Sequence, residues 1–134
     1  YESARGHGNF ISGMVFNAPL NILGLLLAEA GVGLAVWARF YLGSNWGMPM
    51  SLRQGHELVT TGPYALLRHP IYTGILLAAI GSSLINLWWL VLFFTSAIYF
   101  TYSTRVEDKD MAEHFPETYG AYHARTDRLI PFVW

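Results

Sequence analysis

The chain contains no cysteine. Disulfides, thiol nucleophiles and thiolate-ligated metals are therefore excluded. Charge is scarce too. Only 13% of its 134 residues are charged and the net charge is −1. A soluble domain carries roughly 25% charged residues. With no basic surplus there is no electrostatic field for nucleic acid. The sequence has no GxGxxG, phosphate loop or nucleophile elbow, and its histidines lack zinc spacing, so no metal site is expected. Apolar residues are abundant: 53% of the chain is hydrophobic, with 5 Trp, 8 Tyr and 8 Phe. That balance points to a membrane, and the length to one domain.

The first sixteen residues show no signal-peptide pattern, and the chain opens on Tyr1. Residues 1–18 read as the N-terminal segment of a chain whose native start is missing or processed, ahead of a core over 19–134. Leu20 to Leu42 is the clearest spanning segment, with Glu29 and Arg39 its only charges. About 20 apolar residues cross the hydrocarbon core, and Pro19 suits a helix start. Gly24, Ala28, Gly31 and Ala35 share one helical face. Such a stripe admits close approach of another helix or of a ligand. Glu29, in mid-helix, either faces the rest of the bundle, lines a lipid-entry groove or is a protonated acid bonded to a neighbouring helix.

Residues 43–63 read as a polar loop with a short strand at Glu57 to Thr61. Ile71 to Thr104 carries no charge at all. As one helix it would be about 50 Å long, far beyond a core of about 30 Å. Asn86, after Ser82 and Ser83, is the natural turn. The expected structure is a helical hairpin, 71–85 and 87–105, with Trp88 and Trp89 at the far interface. From Arg105 a charged amphipathic tail follows. Pro116 ends its first helix and admits a second through Tyr119 and Tyr122. The expected fold is thus an all-α integral membrane protein with about three to four membrane helices. Arg and Lys cluster after the first span and after the hairpin, so loop and tail should share the cytoplasmic side.

The densest chemistry lies in Gly62-Pro63-Tyr64 and Arg68-His69-Pro70-Ile71-Tyr72-Thr73-Gly74. Ionisable groups at the edge of the hydrocarbon are unfavourable unless they serve a site. Glu107 and Asp108 follow the hairpin, and Tyr119, Tyr122, Arg125 and Arg128 lie in the tail. Arginine suits a carboxylate in bidentate fashion. Glu107, Asp108 or His69 could relieve an amine of a proton.

From about Pro19 onward the chain resembles the isoprenylcysteine carboxyl methyltransferase and phospholipid N-methyltransferase superfamily of integral membrane enzymes. The matching residues are Gly31-x-Gly33, Leu42-Gly43, Gly62-Pro63-Tyr64, Arg68-His69-Pro70-x-Tyr72-x-Gly74, Glu107-Asp108, Tyr119-x-x-Tyr122 and Ile130-Pro131-Phe132. Two features depart from that pattern: the family usually has a glutamate pair at Glu107-Asp108, and its members commonly carry further spanning helices. The resemblance implies S-adenosylmethionine as cofactor and a lipophilic methyl acceptor. It implies a cofactor site at Gly31, Gly33, Tyr64, His69, Tyr72, Gly74, Glu107, Asp108 and Tyr119. Arg68, Glu107 and Arg125 are the candidates for acting on the acceptor. A sterol-type reductase using NADPH shares an Arg-His-Pro-x-Tyr core, but Ile71 stands where that group usually has Asn. A membrane module without catalysis is a third reading. The acceptor and the oligomeric state are not legible.

Overall fold

The computed structural model describes residues 10–43 and 58–134. Four α-helices follow in order: α1 (Ala18–Leu42), α2 (Pro70–Ser83), α3 (Trp89–His114) and α4 (Tyr119–Arg125). Short 3-10 turns occupy Phe10–Gly13 and Gly62–Ala65. No β-strand occurs among the described residues, only two isolated bridges. Residues 58–61 therefore form no strand, and Glu57 lies outside the described residues.

α1 begins where the sequence places its start. The Asn17 side chain accepts from the Leu20 amide at 3.0 Å, with proline in the first turn. At the other end Gly43 adopts φ 51° and its amide returns to the Arg39 carbonyl. α1 is long and apolar enough to cross a bilayer. Most of its large apolar side chains are exposed, as are Val91, Phe94 and Ile98 of α3. An apolar surface of that extent requires lipid. The chain is an all-α membrane protein.

The small-residue stripe of α1 takes α2. A methyl group on Gly31 would stand 2.5 Å from both the Ala78 amide and the Gly74 carbonyl. One on Gly24 would stand 2.4 Å from the Gly81 carbonyl. Gly74 and Gly81 are reciprocally crowded by α1. The two backbones thus touch directly at two levels, the small-residue packing available to helices in lipid.

The hairpin turns at Asn86, which is only 2% exposed. Its side-chain oxygen accepts from the Trp88 amide at 3.0 Å. The segment before α1 docks onto this turn: Val15 donates to the Ile85 carbonyl at 2.9 Å and Leu87 to that of Gly13 at 2.8 Å. Trp88 and Trp89 are exposed there, at the end of the hairpin remote from His69.

The arms of the hairpin are unequal. α2 has 14 residues and α3 has 26, so about 21 Å faces about 39 Å. Arg105 to His114 continues α3 rather than opening a separate tail helix, because Glu, Lys, Met and Ala in that stretch sustain helix. The longer arm thereby carries Glu107 and Asp108 beyond the apolar zone to the start of α2.

Candidate functional site

Three segments meet at the polar end of the hairpin: the turn leading into α2, the last third of α3, and the stretch after α4. Pro70 starts α2 with His69 at its cap position. Glu107 and Asp108 sit on the side of α3 facing that cap. The stretch after α4 runs beside residues 66–69 as a parallel clip. Arg68 donates its amide to the Asp127 carbonyl at 2.8 Å, His69 to that of Arg128 at 3.2 Å, and Asp127 to that of Leu66 at 3.0 Å. Thr73 Oγ1 adds a bond to the Leu129 carbonyl at 2.7 Å.

His69 is the centre of the arrangement, its side chain only 8% exposed. Nδ1 lies 3.0 Å from Glu107 Oε2 and Nε2 lies 2.8 Å from Asp108 Oδ1. Both ring nitrogens therefore face carboxylates, which suits the imidazolium. Burial works against that charge, but the hydrogen bonds His69 donates to Asp108 and Glu107 outweigh it and hold His69 above its ordinary value. Asp108 shows the complement. Burial opposes its charge, yet the bond from His69, with Tyr119 and Arg68 nearby, lowers it to about 2.

Around this pair the partners are aromatic and cationic. Tyr72 donates to Glu107 Oε1 at 2.6 Å and its ring stacks on Phe100 with centroids 4.2 Å apart. Tyr119 donates to Asp108 Oδ1. Arg68 Nε lies 3.6 Å from Asp108 Oδ1 and Arg128 Nε 3.4 Å from Asp108 Oδ2. Neither of these contacts is a hydrogen bond, so each arginine meets Asp108 through charge alone. The Arg68 guanidinium instead donates to the carbonyls of Thr126 at 2.6 Å and His123 at 3.1 Å. Tyr122 donates to the Tyr64 carbonyl at 2.7 Å and ties the Gly62–Ala65 turn to α4. Burial pushes the phenols of Tyr64, Tyr119 and Tyr122 up from their usual value. A cleft of about 410 Å³ opens beside the cluster, bordered by Asp108, Lys109, Phe115, Tyr119 and His123.

Of the residues singled out in the sequence, Arg68, His69, Tyr72, Glu107, Asp108 and Tyr119 form one contiguous cluster, with Tyr64 beneath it. Three glycines do not join it. Gly31 and Gly74 are consumed by the α1–α2 contact, where not even a methyl group fits. Gly33 lies on the outer face of α1, where an added methyl group would meet nothing within 4 Å. The Gly31-x-Gly33 pair is thus a packing feature on one side and bare surface on the other. Arg125 is exposed, its guanidinium 5.6 Å from the Tyr122 ring centre. Sequence reasoning assigned no site role to Arg128, Phe100 or Trp134. Arg128 and Trp134 belong to the clip, and only the backbone pairing of 127–129 with 66–69 brings them in.

A buried His–carboxylate–guanidinium cluster at the polar end of a membrane hairpin marks a class of helical membrane proteins with a site at the bilayer edge. Residues 20–118 match phospholipid methyltransferase. The chain belongs to that family. It is 34% identical over 136 residues to cobalt-zinc-cadmium resistance protein CzcN of Cupriavidus metallidurans, covering 98% of this chain and 56% of that protein. It is 31% identical over 119 residues to protein-S-isoprenylcysteine O-methyltransferase of Mus musculus, covering 85% of this chain and 42% of that protein. Methanethiol S-methyltransferase of Pseudomonas deceptionensis is 37% identical over 68 residues, 51% of this chain and 26% of that protein. The chain spans about half the length, or less, of these curated relatives.

Proposed function

We propose that this chain carries the core of an S-adenosylmethionine-dependent membrane methyltransferase acting on a lipophilic acceptor, an isoprenylcysteine-like carboxylate or a phospholipid or amine headgroup. The observation that carries the reading is His69 held between Glu107 and Asp108 at the polar end of the hairpin. Relatives named as O- and S-methyltransferases support it. The distribution of Arg and Lys supports a cytoplasmic position for this end.

The residues fit the cofactor. Arg68, Arg128 and His69 set three cations against the carboxylates of Glu107 and Asp108. The cluster therefore offers both a positive surplus for a carboxylate and a carboxylate for an ammonium group or a ribose hydroxyl. The ring of Tyr119, at the border of the cleft, suits a sulfonium, an attraction of roughly 0.5–2 kcal/mol. When bound, S-adenosylmethionine supplies an activated methyl group on a sulfonium.

The chain's own part is holding and shielding. Asp108 borders the cleft, and Glu107, 14% exposed, lies next to it in the chain. Asp108 stays ionised down to about pH 2 and is a poor proton acceptor. Holding the two reactants in line supplies much of the rate in such a transfer, and exclusion of water prevents hydrolysis. Arg68 is committed to backbone carbonyls, so Arg125 is the better candidate to hold an acceptor carboxylate. The same commitment of Arg68 leaves little cation for the phosphates of NADPH.

The test is calorimetric titration of S-adenosylmethionine into the protein in lipid nanodiscs, followed by transfer of a labelled methyl group to a total lipid extract. Binding that His69→Ala and Glu107→Ala weaken, with a labelled product, is the expected result. Protection of the folded protein by NADPH and not by S-adenosylmethionine would overturn it.

A further inference from the structure

The Arg128 side chain is 17% exposed, and it approaches Asp108 from the side opposite His69. Its Nε lies 3.4 Å from Asp108 Oδ2, a buried carboxylate oxygen without a hydrogen bond. Its guanidinium lies 5.2 Å from the centre of the Trp134 ring, within the range of a cation–π contact. Its carbonyl accepts the His69 amide. Trp134 is itself anchored, since its carbonyl accepts from Leu129 and Ile130, each at 2.7 Å.

A continuous line of contacts results. Trp134 steadies Arg128, Arg128 faces Asp108, Asp108 holds His69 Nε2, His69 Nδ1 holds Glu107, and Glu107 takes the Tyr72 hydroxyl. Asp108 is faced by His69 from the cap of α2, Arg68 from the preceding turn, Tyr119 from α4, Arg128 from the clip, and Glu107 beside it on α3. Of these, only Arg128 addresses Oδ2. Without that cation Oδ2 loses its charge partner, and the carboxylate is held through Oδ1 alone, by His69 and Tyr119.

We propose that Arg128 is a positioning residue for this site. It fixes the orientation of Asp108, and through His69 that of Glu107. The proposal deepens the methyltransferase reading and rests on it for the ligand, but its electrostatic half stands apart from it.

Two measurements on Arg128→Gln and Arg128→Lys, in nanodiscs, test it. The first is the acid limb of the tryptophan fluorescence of the ligand-free protein. Removing a cation beside a depressed carboxylate raises that carboxylate towards its ordinary value. The limb should therefore move to higher pH in Arg128→Gln and return towards the parent position in Arg128→Lys. The second is calorimetry with S-adenosylhomocysteine. Arg128→Gln should weaken binding by about tenfold, the scale of losing a group that orients a ligand contact from behind. Arg128→Lys should recover most of that loss. An unmoved acid limb in Arg128→Gln, or a shift that lysine does not reverse, overturns the proposal. A moved and lysine-rescued limb in a parent protein that binds no S-adenosylhomocysteine upholds the clamp and rejects the methyltransferase reading instead.

Discussion

The two ends of the hairpin solve the same mechanical problem with different materials. At the far end, the segment before α1 is sewn to the Asn86 turn by neutral amides. Val15, Leu87 and both bonds of the Asn21 side chain, to the carbonyls of Val15 and Leu84 at 3.0 Å each, suffice. At the near end, backbone pairing of 66–69 with Asp127 and Arg128 supplies an equivalent seam. Yet Arg68, His69, Glu107, Asp108 and Arg128 are all packed beside it. Burying ions is rarely the easiest route to stability, and the far end shows that this fold does not need them to close. The charges at the near end are therefore more than the joint, which the backbone already makes, requires.

The largest effect that tests this contrast is at Asp108. Asp108→Ala leaves His69, Arg68 and Arg128 without their common counter-charge. Loss of one partner of a buried ion group costs about 3–5 kcal/mol, read as the midpoint of chemical unfolding in micelles. If the charges served only as glue, double replacement of Asp108 and Arg128 by apolar residues would restore stability and leave ligand binding intact. If they are chemistry, binding stays lost whatever happens to stability.

Next comes the middle of the molecule, which belongs to neither end. Gly31→Ala drives a methyl group into the backbone of α2 and should cost about 1–3 kcal/mol. Gly33→Ala, placed in open space, should be neutral or slightly stabilising through helix propensity alone. A thermal melt of the pair distinguishes packing from any role of both glycines in holding a ligand, which would make Gly33→Ala costly for binding.

At the far end, Asn86→Ala strips the Trp88 amide of its acceptor, a loss of about 1–2 kcal/mol. Ligand affinity should not change, because no charge lies at that turn among the described residues. A loss of affinity would show that the two ends are coupled.

The smallest and most diagnostic effect is pH. Asp108, lowered to about 2 from an ordinary 3.8, contributes stability that is present above 3.8 and lost as pH falls through about 2. His69, raised from 6.5, contributes stability that is complete below 6.5 and lost as pH rises through its raised value. The near end is thus tightest between about pH 4 and 6.5. Hydrogen exchange should show the Arg68 and His69 amides loosening on both sides of that window, while Val15 and Leu87 at the far end stay level.

Much of this was legible in the sequence, and the limits have physical causes. The hairpin and its turn at Asn86 follow from length against bilayer thickness. The cluster of Arg68, His69, Tyr72, Glu107, Asp108 and Tyr119 follows from polar residues gathered at the ends of apolar runs. The glycine pair divides because residues two apart on a helix point to different faces, and only the position of α2 decides which one is buried. Arg105 to His114 read as a tail because charge marks the end of lipid, not the end of a helix. The contact of Arg128 with Asp108 was hidden because it depends on a backbone pairing between segments far apart in the chain, which no local pattern encodes.

The clip over residues 126–129 has a consequence in time. Membrane helices form and insert while a chain is still being made, but here the loop before α2 receives its pairing partner only after α3 and α4 have both emerged. The site at the membrane edge therefore takes shape late. Until then His69 and the two acids wait without their full set of partners.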